Sequence, residues 1–285
     1  MKLLENLFIF FYRTRLRLLA IVSMKKAAAL AFRLFITPIS VKSKKQSTLP
    51  PGAEPLSFNF ENNSIKGYRW NPTGNKKVLL LHGFSSTLTK FMHYVQPLVD
   101  NGFEVLAFDA PAHGMSTGKT VNVLQYRDMI EQVVKLYGPV DAFIAHSFGG
   151  LALSLYTEKL ANNAALKIVL IAPATETTTA ISYFSEKLGI SKKLQAAMHI
   201  HIFERSGMKV ADFSVRRAMK QIQSTTLWIH DIDDDVTPWK DAEAVQKDGH
   251  PNVRFVNTTG LGHRRIYRDE TVAKTVVDFI AKNNP

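Results

Sequence analysis

From Val78 onward the chain repeats one arrangement: a short run of consecutive apolar residues, then a stretch where apolar positions recur every three or four residues. The runs are Val78–Leu81, Glu104–Phe108, Ala142–Ala145 and Ile168–Ile171. Each has strand length and is apolar on successive positions, so both of its faces must be covered. Between them the spacing predicts helices over 90–100, 123–137 and 149–160, the alternation that parallel βαβ units require. Two further strands, 226–230 and 253–257, flank a helix near 239–247, and a last helix covers 266–282. Upstream, Leu56–Trp70 alternates apolar and polar residues about Asn62-Asn63, which predicts an antiparallel hairpin at a sheet edge.

Two segments break the alternation. Residues 175–223 hold no strand-like run, but Ile181–Leu188 and Ser191–Phe203 have helical spacing. At about 50 residues the interval is too long for a connection and reads as an inserted helical cap. Residues 1–45 form an arm of short apolar runs (Leu7–Tyr12, Leu18–Met24, Leu34–Val41) separated by Arg or Lys, and a Lys-, Ser- and Pro-rich stretch ending at Pro55 forms a linker over 46–55. The expected organisation is therefore arm, linker, and an α/β domain over 56–285 carrying the cap.

Composition changes this picture in two places. The chain of 285 residues has no cysteine, which removes disulfides, thiolate nucleophiles and Cys-built zinc sites. A net charge of +12 suggests nucleic acid until its distribution is considered. Residues 1–45 carry ten bases (Lys2, Arg13, Arg15, Arg17, Lys25, Lys26, Arg33, Lys42, Lys44, Lys45) and one acid, Glu5, leaving the remainder near balance. With no basic run interleaved with aromatics, no nucleic-acid partner is expected. Arginines and lysines interrupt every apolar window long enough to span a bilayer. The arm can lie on an anionic membrane surface, pack on the main domain or a partner subunit, or serve as a targeting peptide. The expected location is cytoplasmic, with peripheral membrane attachment through the arm as its variant. Oligomeric state is not legible.

The chemistry lies at strand ends. Ala145-His146-Ser147-Phe148-Gly149-Gly150 stands where a strand ends and a helix begins, a turn that lifts the Ser147 hydroxyl above the sheet and requires small residues at 145 and 149. A serine hydroxyl needs a histidine to take its proton and a carboxylate to orient that histidine. Strand 226–230 runs into an acid cluster, Asp231, Asp233, Asp234 and Asp235, ahead of Pro238. Strand 253–257 leads to His263 in a Gly-flanked loop.

Serine, acid and histidine in that order, each after a separate strand, resemble the α/β-hydrolase superfamily over residues 56–285. Val78-Leu-Leu-Leu-His82-Gly83-Phe84 is similar to its strand and oxyanion loop, and Asp109-Ala-Pro-Ala-His113-Gly114-Met-Ser116 to its Asp-x-x-x-His-Gly-x-Ser turn. The elbow departs from Gly-x-Ser-x-Gly in having Ala145 first. The resemblance implies a mostly parallel sheet with helices on both faces, Ser147 as nucleophile, His263 as base, and backbone N–H groups of Phe84 and Phe148 for the oxyanion. His230, Asp234 and Pro238 match the spacing His-Gly-x-x-Asp-x-x-x-Pro, which selects Asp234 as the acid with Asp233 as runner-up.

Other conspicuous residues have plainer readings. His82 and His113 bond loop backbone near the site. His199 and His201, a His-x-His pair in the cap, lack an obvious third metal ligand. Phe184, Met198, Phe203, Met208 and Phe213 read first as cap core and second as substrate wall. The expected activity is a cofactor-free, metal-free serine hydrolase of the carboxylesterase kind, acting on small-molecule esters of apolar or medium-chain acids. Thioesterase, amidase or acyltransferase activity would use the same residues. A noncatalytic membrane-peripheral or partner-binding protein could keep the fold.

Overall fold

A computed structural model of the chain describes residues 2–39, 49–161 and 163–282. Residues 1 and 40–45 of the arm and 46–48 of the linker lie outside the described residues. The strands are β1 (Glu54–Phe60), β2 (Asn63–Trp70), β3 (Lys76–Leu81), β4 (Phe103–Phe108), β5 (Ala142–His146), β6 (Lys167–Ile171), β7 (Thr225–Asp231) and β8 (Val253–Thr258). Two helices precede them, α1 (Lys2–Val22) and α2 (Met24–Phe35). Those that follow are α3 (Met92–Asp100), α4 (Val123–Tyr137), α5 (Phe148–Thr157), α6 (Thr177–Leu188), α7 (Lys192–Ser206), α8 (Val215–Met219), α9 (Trp239–Lys247), α10 (Gly262–Arg265) and α11 (Glu270–Ala281).

Among the described residues the strands form one eight-stranded sheet in the order β1-β2-β4-β3-β5-β6-β7-β8. The predicted hairpin is its antiparallel edge, with Phe60 opposite Asn63, and from β4 through β8 every pairing is parallel. The apolar runs fill both faces, as their consecutive hydrophobicity requires. Val78, Leu80, Val105, Ala107, Ile144, Val169, Ile171, Leu227 and Ile229 share one buried cluster with α3 and α11. Alternate residues point to the other face, where Phe108 stacks on Tyr137 of α4 and Phe143 meets Tyr156 of α5. Each fully buried Val, Leu, Ile or Phe contributes about 1.5–3 kcal/mol, and this double-sided burial is the main support of the sheet.

The chain order fixes where a site belongs. It runs from β3 outward to β4, then crosses back so that β5 pairs with the opposite edge of β3, Leu81 beside Ala145. Loops leaving the C-terminal ends of β3 and β5 therefore diverge to opposite faces and leave a crevice between them. Those loops carry Gly83-Phe84 and Ser147.

Contacts divide the chain into two compact units, Met1–Thr37 with Glu176–Ser214, and Pro38–Thr175 with Val215–Pro285. This differs from a separate arm and a cap over 175–223. The arm helices join α6 and α7 in one helical unit, whereas α8 packs on α5 in the sheet unit. In the helical unit Ala27, Ala28 and Ala31 of α2 are buried, a small-residue stripe that lets α7 approach closely. Phe35 meets Phe184, Phe32 meets His201, and Lys25 pairs with Glu204 at 3.4 Å. The Arg13 guanidinium donates to the carbonyls of Leu188 and Lys187, supplying a cation to the last carbonyls of α6.

Candidate active site

The elbow after β5 holds Ser147 at φ 53° and ψ −119°, a backbone conformation that costs a residue with a Cβ about 1–3 kcal/mol. Surrounding hydrogen bonds hold it there. Its N–H donates to the Ile171 carbonyl at the end of β6, and its own carbonyl accepts from Ala174, Gly150 and Leu151. Close packing explains the small residues that follow. A Cβ at 149 would stand 2.7 Å from the His82 carbonyl oxygen, and one at 150 would stand 2.8 Å from Pro173. Ala145, the residue at the first glycine position of the elbow, is fully buried at the end of β5.

His263 is not in an open loop but in the short helix α10 that follows β8. Its Nε2 lies 3.0 Å from Ser147 Oγ, and its Nδ1 lies 2.8 Å from Asp234 Oδ2. A carboxylate only accepts, so the ring proton sits on Nδ1 and Nε2 presents its lone pair to the serine hydroxyl. The three residues expected to meet are brought together in one line.

Asp234 is held by its own loop. Oδ1 accepts the N–H groups of Val236 and Thr237, both at 2.8 Å, and Oδ2 accepts the Thr237 hydroxyl at 2.8 Å besides the imidazole. Burial pushes this carboxyl up. The hydrogen bond and charge of His263, with the two backbone N–H groups, outweigh that and hold it below the usual carboxylate range. Asp233, the runner-up, is exposed and directs Oδ2 to the Gly260 N–H at 2.8 Å, away from the imidazole.

The loop after β3 lies against the elbow: a Cβ at Gly83 would come within 3.0 Å of both Ser147 Cβ and His146 Nδ1. That brings the Phe84 segment beside Ser147, and the two phenylalanine rings meet edge to face at 5.5 Å. Phe148 is the first residue of α5, where an N–H has no acceptor inside the helix and the helix dipole is positive.

His82 and His113 hold this loop in shape. His82 Nε2 accepts the Ala110 N–H and its Nδ1 donates to the Gly83 carbonyl; His113 Nε2 accepts the Ser85 N–H and its Nδ1 donates to the Pro111 carbonyl. Each ring must be neutral to play both parts, and burial lowers their pKa values to about 4 and about 3. Asp109 accepts the N–H groups of Leu88 and Met115. Gly114, at φ 48°, leaves it room, since a Cβ there would sit on the carboxylate.

The family described as serine aminopeptidase S33 matches residues 73–214. In structure the chain is similar to an esterase from Pyrococcus furiosus, with a TM-score of 0.65 and 20% identity, covering 86% of this chain and 98% of that one. The chain is a member of the α/β-hydrolase superfamily. This α/β-hydrolase is also similar to a thioesterase domain from the curacin biosynthetic pathway, TM-score 0.59, 17% identity, covering 81% of this chain and 98% of that one. A bacterial membrane phospholipase A is similar at TM-score 0.63 and 15% identity over 100% of both chains. In sequence the α/β-hydrolase is similar to the uncharacterized protein YqkD of Bacillus subtilis, 24% identical over 246 residues, 81% of this chain and 78% of that protein.

Three residues of this α/β-hydrolase site escape sequence reasoning. Thr237 serves Asp234 through both its N–H and its hydroxyl, and that hydroxyl also lies 3.1 Å from His263 Nδ1. Asp231, fully buried, accepts the Thr258 hydroxyl at 2.6 Å and the Leu261 N–H at 3.0 Å, tying the loop of Asp234 to the loop of His263. His146, the residue before the serine, donates from Nε2 to the His263 carbonyl at 3.1 Å and packs at a tilt against the His263 and Tyr267 rings. Burial and the neighbouring His263 hold it neutral. Only its place beside Ser147 could have drawn attention to it.

The five cap residues read as core or substrate wall differ in exposure, with Met208 half-buried. Met198 and Phe213 are buried, Phe184 packs on Phe35, and Phe203 is 48% exposed. Among the described residues no three His, Cys, Asp or Glu side chains stand where they could hold a metal ion.

Proposed function

We propose that the protein is a serine hydrolase that cleaves carboxylic esters of apolar or medium-chain acids through an acyl-enzyme. What supports the reading above all is the unbroken line Ser147–His263–Asp234, at 3.0 and 2.8 Å. Ser147 Oγ bonds to the ester carbonyl carbon as its proton passes to His263 Nε2. The carbonyl electron pair moves onto oxygen, which takes hydrogen bonds from the Phe84 and Phe148 N–H groups, each such donor being worth about 3–4 kcal/mol in the transition state. Asp234 stabilises the imidazolium. Collapse breaks the bond to the alkoxy group, which leaves with the imidazolium proton. Water then gives a proton to His263, attacks the acyl carbon and releases the acid, returning the proton to Ser147.

The preference for apolar acyl groups is supported by the half-buried rings of Phe84 and Phe148, which flank the nucleophile with apolar surface. A fluorophosphonate probe tests the reading. It is expected to label the native protein and not Ser147→Ala. A folded native protein that resists labelling would instead favour a noncatalytic role. Turnover of a p-nitrophenyl ester series, expected to rise from acetyl to medium-chain acyl groups, tests the substrate class.

A further inference from the structure

Helix α1 is apolar on two sides, and only one of them is used. Leu16 is 2% exposed inside the helical unit and Arg13 is engaged at the end of α6. On the far side, Leu7, Phe11, Leu18 and Val22 fall on one stripe at 3.6 residues per turn, with Phe10 and Ile21 beside it. All six are exposed, Phe10 at 68% and Ile21 at 83%. Arg15 and Arg17, both exposed, fall on opposite flanks of that stripe. Along Leu7–Val22 there are three arginines and no acid.

We propose that this outer face of α1 docks on an anionic lipid bilayer, its apolar stripe among the acyl chains and Arg15 and Arg17 reaching the headgroups. The inference goes beyond the hydrolase chemistry and does not depend on it. An apolar stripe flanked by snorkelling cations is the pattern of a helix lying in a membrane interface. No helix among the described residues is long and apolar enough to cross a membrane, so lying on the surface is the arrangement open to α1. Charge selects this occupant over a second copy of the chain. Two such faces packed together would bring arginines near arginines with no acid to pair them, whereas anionic headgroups attract all of them. Exposed Lys26 and Arg33 on α2 add to the cationic character of the same unit.

The test is co-sedimentation of the full chain with vesicles of phosphatidylcholine alone and of phosphatidylcholine mixed with phosphatidylglycerol. Binding is expected to the mixed vesicles and to weaken with salt. Removing a cation near the surface is expected to lower affinity roughly fivefold, so Arg15→Gln with Arg17→Gln should lose about 30-fold. Phe11→Ser with Leu18→Ser should lower it further, with far-ultraviolet ellipticity unchanged because all four side chains are exposed. Equal binding to both vesicle types, no binding at all, or unaltered binding by folded variants would overturn the proposal. So would concentration-dependent dimerisation abolished by Phe11→Ser with no lipid binding, which would assign the face to a second copy.

Discussion

Replacing Asp234 with Asn changes one oxygen to an NH2 and leaves volume and shape intact, which isolates the role of the charge. The structure decides which way the amide turns. At the Oδ1 position two backbone N–H groups, from Val236 and Thr237, require an acceptor and cannot rotate away. The amide oxygen is therefore held there, and the NH2 takes the Oδ2 position facing His263 Nδ1 and the Thr237 hydroxyl. The hydroxyl can turn to accept. The imidazole must move its proton to Nε2 so that Nδ1 can accept, and Nε2 can then no longer take the proton of Ser147. For a triad of this geometry, loss of the correct tautomer costs about 10⁴ in kcat, or about 5.5 kcal/mol of barrier. The companion change, Asp233→Asn, keeps an amide oxygen to accept the exposed Gly260 N–H and loses only the charge on that bond, worth less than about 0.5–1.5 kcal/mol, so kcat should fall less than about tenfold. Steady-state turnover of a p-nitrophenyl ester, with ellipticity checking the fold, reads both. A folded Asp234→Asn within tenfold of the native enzyme, or a larger loss in Asp233→Asn, would refute the assignment.

Three further outcomes follow from the same structure. Gly149→Ala places a methyl 2.7–2.8 Å from the carbonyl oxygens of His82 and Leu81, and overpacking of this kind should cost about 1–3 kcal/mol, read as a lower urea midpoint. Acid should destabilise the fold between pH 6.5 and 5. There the unfolded chain takes up protons that His82 and His113, held near 4 and 3 in the fold, refuse, so stability is full above about 6.5 and falls by about 2 kcal/mol per histidine at pH 5. Asp109, raised by burial, opposes this, and a urea midpoint that stays level from pH 7 to 5 would contradict the neutral-histidine scaffold. His146→Phe keeps a ring against Tyr267 but removes the donor to the His263 carbonyl, and should lower stability by about 1–3 kcal/mol while turnover falls.

What could be read from the sequence follows the physics of each part. The strands were legible because burial on both faces forces consecutive apolar residues, and the elbow because contacts at 149 and 150 admit only small ones. Asp234 could be preferred over Asp233 through the spacing usual in the resembled family, but the separate duties of Asp231 and Asp233 could not be read. Those depend on how a turn aims neighbouring carboxylates at Thr258, Leu261 and Gly260, and a run of aspartates does not encode that aim. The grouping of the arm helices with α6 and α7 was not legible for a similar reason. A helix that buries one side and exposes a second apolar side scatters on a helical wheel, so neither the burial of Leu16 nor the engagement of Arg13 at α6 was visible in α1. Helix α8 falls within the interval read as cap, but it packs on α5.

The most direct measurement is intact-mass and peptide-mass analysis of protein quenched during turnover of a slow p-nitrophenyl ester, recorded alongside the release of nitrophenol. An initial burst matching the enzyme concentration and a single added acyl group on the peptide containing Ser147 are expected. A full rate of hydrolysis in Ser147→Ala, or an acyl group found on another residue with Ser147 unmodified, would contradict the role of Ser147 as nucleophile.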